Sequence, residues 1–268
     1  MTHLNSLETM KCMLFGAVLA TAPALAFAQE EPDSFVALGA ASIPDYEGSS
    51  DYEAGPFVAA RFNFGTTRLE LEGTAGRLDV SRVDGFGFGP AFRYRFGRDD
   101  DVDNAQVALL PEIDDAFELG FFLRYGQPLG LATADEGVIR LDILYDVADV
   151  HSGGVAELSA AYTFRPTARL GLTTSLSTRY VSENFADTYF SVSGVGSAAS
   201  GLPVFNASDG FDTIGLSVVA TYQLSDRWGL IANASVQRLL GDAEDSPLVS
   251  VAGDDVQTFF GLGVTYSF

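Results

Sequence analysis

The sequence predicts an all-β fold: a transmembrane, antiparallel, up-and-down β-barrel of about twelve strands, with ten as the second count. Three observations predict it. Apolar and polar residues alternate with a period of two along most of the chain. Charges within these segments fall on the face opposite the apolar one. Connections between segments alternate between short and long. Successive strand side chains point to opposite faces, so a period of two gives each strand one greasy and one polar face. Grease outside and charge inside is the inverse of a soluble barrel. It suits a closed sheet in lipid, where every backbone group must be paired between strands.

Residues 1–28 are expected to be a cleaved secretory signal. A polar start containing Lys11 precedes the apolar run Met13 to Leu19, and Ala26-Phe27-Ala28 supplies an A-x-A cleavage site. A membrane anchor would need about 20 continuous apolar residues, and this run falls short. Residues 29–268 then form one barrel domain. Cys12, the sole cysteine, leaves with the signal and takes disulfide and thiolate chemistry with it. A net charge of −21 argues against nucleic acid, for which a basic stripe is expected.

The strands follow in order. Residues 34–43 open as a strand, and Pro44 to Ser50 form a loop. In 55–64, Val58, Ala60, Phe62 and Phe64 oppose Ala59, Arg61 and Asn63. Two short strands are expected near 67–72 and 76–81, broken by Gly73 and Gly76. In 85–96, Phe86, Phe88, Phe92, Tyr94 and Phe96 oppose Gly87, Gly89, Ala91, Arg93 and Arg95. Phe117 to Tyr125 opposes Glu118 and Arg124, and Ile139 to Tyr145 opposes Arg140 and Asp142. Ala156 to Phe164 opposes Glu157, and Leu170 to Tyr180 opposes Arg179. Ile214, Leu216, Val218 and Tyr222 oppose Thr213, Ser217 and Thr221, and Trp228, Leu230 and Val236 oppose Asn233, Ser235 and Gln237. The last strand, Val256 to Phe268, sets Phe260, Leu262, Val264, Tyr266 and Phe268 against Gly261, Gly263, Thr265 and Ser267. Tyr125, Phe164, Tyr180, Tyr222 and Trp228 fall near the ends of apolar faces, where membrane interfaces collect aromatics.

Short turns are expected at Gly65-Thr66, Gln127 to Leu129, Arg165 to Thr167 and Ser225-Asp226. Long connections are expected at 44–54, 97–114, 181–210 and 240–255, with a medium one at 147–153. This is the pattern of short periplasmic turns and long external loops.

No catalytic, cofactor-binding or metal-ligating residue is assigned. The run Asp99-Asp100-Asp101-Val102-Asp103 lacks the glycine and glutamate of a calcium loop, since Asn104 and Leu110 stand at those places. It reads as a solvated loop. His151, the one histidine after residue 28, precedes Ser152 and then Glu157, a set from which a hydrolase could be built. Neighbouring residues point apart, so His151 and Ser152 are poorly placed to share a proton. Arg61, Arg93, Arg95, Glu118, Arg124, Arg140, Asp142 and Glu157 are expected to share one lumen. Buried charges are costly unless paired, so ion pairs or water are expected there in place of an apolar core. That set reads as a structural network or as the lining of a selective pore. Loop 181–210, with Tyr189-Phe190, is a candidate binding loop without a nameable ligand.

Several stretches resemble the MipA/OmpV (MltA-interacting protein) family. They are Pro44-Asp45-Tyr46-Glu47-Gly48-Ser49, Gly97-Arg98-Asp99, Ala116 to Gly120, Asp187 to Val192, Ala199 to Phe205, Gln237 to Leu248 and the terminal Tyr266-Ser267-Phe268. Ser191 departs from the glycine expected after the Tyr-Phe pair. The resemblance implies a non-enzymatic outer-membrane barrel surrounded by lipid and lipopolysaccharide. It implies a scaffold for murein hydrolase and synthase, or an adhesin; a narrow solute channel is the alternative.

Overall fold

The computed structural model describes residues 34–132 and 134–268; the expected signal at 1–28 lies outside them. Twelve strands form one antiparallel sheet closed on itself: β1 (Phe35–Pro44), β2 (Tyr52–Phe64), β3 (Thr67–Glu72), β4 (Ala75–Asp79), β5 (Phe86–Arg95), β6 (Ala116–Gln127), β7 (Glu136–Asp146), β8 (Gly154–Phe164), β9 (Leu170–Val181), β10 (Gly210–Gln223), β11 (Trp228–Leu239) and β12 (Val256–Ser267). Each pairs with its neighbours in sequence, and β1 closes on β12. The expected pair at 67–72 and 76–81 is present as β3 and β4, so the count is twelve.

The period of two decides which side faces lipid. On β12, Phe260, Leu262 and Val264 lie outside at 55%, 53% and 45% exposure, while Gly261, Gly263 and Thr265 are buried. Aromatics ring both ends of the outer surface. At the short-turn end Trp228 meets Tyr266 edge-on, and Tyr266 stacks on Phe268. At the long-loop end the Tyr145 hydroxyl donates to the Ser152 carbonyl at 2.9 Å, and Tyr94 and Tyr180 bond Asp115 and Asp209.

One sector of the wall is only half as tall. β3 and β4 have 6 and 5 residues against 13 in β2, whereas a membrane-crossing strand needs about 9–11. β2 pairs with β3 only from Ala59 to Phe64. Above that, Gly73 N–H caps the Val58 carbonyl at 2.9 Å. Alternation then puts the backbone groups of Pro56 and Ala54 on the edge facing the gap. Pro56 has no N–H to leave unpaired, which suits that edge.

Two expectations need correction. Four connections at the short-turn end exceed the two or three residues expected: 80–85, 165–169, 224–227, and 128–135, where Asp135 gathers the N–H groups of Gly130, Leu131 and Ala132 at 2.7–3.0 Å. The lumen is also not wholly polar. Phe35, Ala37, Ile43, Phe57, Ala59, Val219 and Ile231 form an apolar cluster on the β1–β2–β10–β11 wall, with Phe259 of β12 packed against it. Small inward residues on β12 make room for it: a side chain on Gly261 would meet the Phe57 ring at 2.5 Å.

Candidate functional site

The interior charges sit on the opposite wall and brace it. Arg77 of β4 donates to Asp142 of β7 at 2.5 Å and to Glu72 at 2.7 Å. Arg140 of β7 bonds Asp142 at 3.1 Å and lies 3.7 Å from Glu72 of β3. Arg93 of β5 reaches Glu157 of β8 at 3.0 Å. None of the pairs β4–β7, β3–β7 or β5–β8 joins neighbouring strands, so these bonds cross the lumen as chords. Forked guanidiniums can hold two carboxylates at fixed angles, which keeps such chords rigid. The expected lumenal set is thus brought together, with two exceptions in place. Arg61 pairs instead with Glu70 at 3.1 Å, and Arg124 with Glu136 at 2.6 Å, nearer the short turns.

Above the chords the long loops fold into a cap. Loop 181–210 contains two helices, α1 (Glu183–Phe190) and α2 (Gly194–Ser200), and the last long loop adds α3 (Asp242–Asp245) and α4 (Pro247–Ser250). Ser193 caps α2 by accepting from Gly196 N–H at 3.1 Å, and Gly201 ends it at φ 78, the left-handed region glycine favours. The Ser246 hydroxyl donates to the Phe190 carbonyl at 2.6 Å, tying α4 to the end of α1. Two apolar clusters hold the cap together. One joins Phe185, Tyr189 and Phe190 of α1 to Leu239, Ala243 and Val249. The other joins Tyr46, Val107, Leu110, Val192, Leu202 and Leu248, so four separate loops contribute.

The cap meets the lumen at Glu47. This loop carboxylate bonds Arg179 of β9 and lies 3.5 Å from Arg95 of β5. Burial pushes the Glu47 carboxyl up, and Arg179 and Arg95 outweigh that, holding it below the ordinary carboxylate value. Phe185 lies over both cations, with the guanidinium carbons of Arg95 and Arg179 at 4.7 and 5.3 Å from its ring centre. Elsewhere in the cap, burial lowers Arg98 to about 10, and its guanidinium donates to the Pro111 carbonyl at 3.3 Å. Burial likewise raises Tyr46 to about 12, and its hydroxyl donates to the Ala252 carbonyl at 3.2 Å.

His151 belongs to this junction. Its side chain is fully buried, packed on Phe185 and Tyr189 with ring centres 5.1 and 5.6 Å away. Nδ1 accepts from Gly153 N–H at 3.1 Å, which leaves the proton of a neutral ring on Nε2. Nε2 lies 3.3 Å from Glu118 Oε1, within ion-pair range but off the line of a hydrogen bond. Ser152 turns away at φ 45, and its carbonyl accepts from Tyr145 and Asn184. Glu157 is engaged by Arg93. His151, Ser152 and Glu157 therefore do not form a hydrogen-bonded chain. The acidic run makes a turn, with Asp99 Oδ1 accepting from Asp101 N–H at 3.0 Å. Sequence reasoning missed Glu47, Asp212 and Phe185. Only Glu47 carried a signal, as the one glutamate in a motif shared with the resembling family.

Fold and interior together define a transmembrane β-barrel of the outer-membrane class, with a capped and internally braced lumen. The family described as MltA-interacting protein MipA matches residues 36–268, and the chain belongs to that family. Among curated relatives, "Putative outer membrane protein YiaT" of Escherichia coli (strain K12) is 32% identical over 133 residues, covering 49% of this chain and 52% of that protein. "MltA-interacting protein" of the same strain is 28% identical over 132 residues, covering 49% and 51%. The match thus spans about half the length of these relatives. Among solved structures, the NanC porin aligns with 88% of this chain and 100% of its own at 10% identity, with a TM-score of 0.45.

Proposed function

We propose that the chain is a non-enzymatic protein of the Gram-negative outer membrane, exported by the signal at 1–28 and surrounded by lipid and lipopolysaccharide. It works by binding at its rims and loops, as a scaffold for murein hydrolase and synthase or as an adhesin. The capped and braced lumen supports this reading: a cap of four loops lies over chords that cross the barrel. A relative's name, MltA-interacting protein, supports the murein branch. The connections 80–85 and 128–135 give a periplasmic partner more surface than two-residue turns would.

A narrow channel is the second reading, favoured by a hydroxyl-lined interior strip that includes Thr163 bonded to Thr173 at 2.9 Å and Ser175 to Ser217 at 2.8 Å. Single-channel recording of the refolded protein in a planar bilayer, with Arg93→Ala and Arg124→Ala alongside, separates the two. A silent bilayer from protein with folded, heat-modifiable migration, together with co-purification of a murein enzyme, supports the scaffold. Discrete steps whose selectivity changes in the variants would replace it with the channel.

A further inference from the structure

We infer that the cavity at the short-turn mouth of the barrel is a binding site for a small zwitterionic ligand bearing a free carboxylate, of the kind a short peptide presents. The cavity is ≈ 320 Å³, at the lower end of ligand-sized pockets, and is bordered by β2–β6 and the connections 65–66 and 80–85. Three of the fourteen arginines, Arg68, Arg82 and Arg124, line it in a chain of net charge −21. A concentration of guanidinium in so acidic a molecule calls for an anion.

The bonds already made show which groups are left for a ligand. Arg68 donates through Nε to Asn63 Oδ1 at 3.0 Å and lies 4.0 Å from Glu70, which is itself held by Arg61. Arg124 spends one Nη on Glu136 at 2.6 Å. Asp79 Oδ1 accepts from the N–H groups of Ser81 and Phe88 at 2.8 and 3.3 Å. Arg82 and Asp84 have no partner among the described residues, and both are exposed at the mouth. The unspent donors are the Arg82 fork and the remaining N–H groups of Arg68 and Arg124. The unspent acceptors are the exposed Asp84 carboxylate and the second oxygen, Oδ2, of Asp79. A carboxylate matches a guanidinium fork in two parallel bonds, and a ligand ammonium matches Asp84. The cavity lies on the far side of the chords from the cap. The inference holds whether or not a murein enzyme binds; only the side from which the ligand arrives rests on the proposed orientation.

The test is calorimetric titration of the refolded full chain with triglycine, triglycinamide and inorganic phosphate. Saturable triglycine binding is expected, with triglycinamide about tenfold weaker or worse, a difference of the size one charge-assisted contact makes. Arg82→Gln should weaken triglycine about tenfold while leaving heat-modifiable migration unchanged, and Arg82→Lys should restore part of the loss. Asp84→Asn should weaken triglycine but leave N-acetyltriglycine unchanged. Equal binding of triglycine and its amide, phosphate binding as tightly as triglycine, no saturable binding by folded protein, or full affinity in Arg82→Gln would each overturn the site.

Discussion

Glu47, carried by the first long loop, bonds Arg179 of β9, 132 residues further along the chain. Arg179 also donates to Asp212 at 2.9 and 2.6 Å, so one guanidinium joins the cap to two strands of the wall. Glu47→Gln leaves buried cations without their shared anion, a change that costs about 3 kcal/mol in comparable settings. Loop 182–209 should then be cut faster in limited proteolysis, with the barrel still resistant. The Glu47 carboxyl is held below its ordinary 4.5. Its stabilisation is therefore complete above that value and is lost as pH falls through the lower folded value. Proteolysis of the wild-type cap by an acid-tolerant protease should stay flat from neutral pH down to about 4.5 and rise only below it. A rise already at pH 6 would refute the latch.

Arg77 serves Glu72 and Asp142 at once. Removing one partner from a buried pair is worse than replacing the whole set. Arg77→Met should lower stability in urea unfolding by about 3–5 kcal/mol. Arg140 shares both carboxylates, so the quadruple change Arg77→Met, Arg140→Met, Glu72→Gln, Asp142→Asn should recover most of that loss. Equal losses in the single and quadruple variants would mean that the chord does not act as a unit.

Closure of β1 on β12 depends on Gly39, which pairs with Gly263. A side chain at Gly39 would run into the Leu262 carbonyl. Gly39→Val should abolish the compact, heat-modifiable form. Gly194→Ala, at the start of α2 where nothing lies within 4 Å, should fold normally and gain up to about 1 kcal/mol in thermal unfolding.

His151→Ala removes a ring packed on Phe185 and Tyr189, together with the acceptor for Gly153 N–H. The expected cost is about 2–4 kcal/mol of cap stability, of the size large-to-small core changes produce. Phospholipid and lipid A profiles of a cell carrying the variant should match those of wild type. A changed profile would return His151 to catalysis.

The wall was legible in the sequence because a period of two is a local property: Phe260, Leu262 and Val264 declare the lipid face of β12 without reference to anything distant. The charges Arg93, Glu118, Arg140, Asp142 and Glu157 were legible as interior for the same reason. Their partners were not, because a chord between β4 and β7 depends on barrel shape, which no local pattern records. The cap was hidden for a related reason. Helix α1 is eight residues long, too short to be stable by itself. It forms because Phe185, Tyr189 and Phe190 are covered by residues from far along the chain. The apolar cluster around Phe35 and Phe57 was missed because small inward residues were read as the polar face, when they are the space into which those rings fit.

The short β3–β4 hairpin gives the cap a second meaning. Around most of the circumference, hydrogen bonds from strand to strand carry the hoop tension that keeps a barrel round. Beside the upper part of β2 that hoop is interrupted. Two bonds bridge the interruption: Asp103 N–H to the Asp45 carboxylate at 2.9 Å, and Arg95 to Glu47 at 3.5 Å. Both join the loop before β2 to β5 or the loop after it. The cap is thus a buckle fastened across a slit in a belt, as well as a stopper in a tube. Releasing it would slacken the barrel along one seam, from the rim down to Gly73.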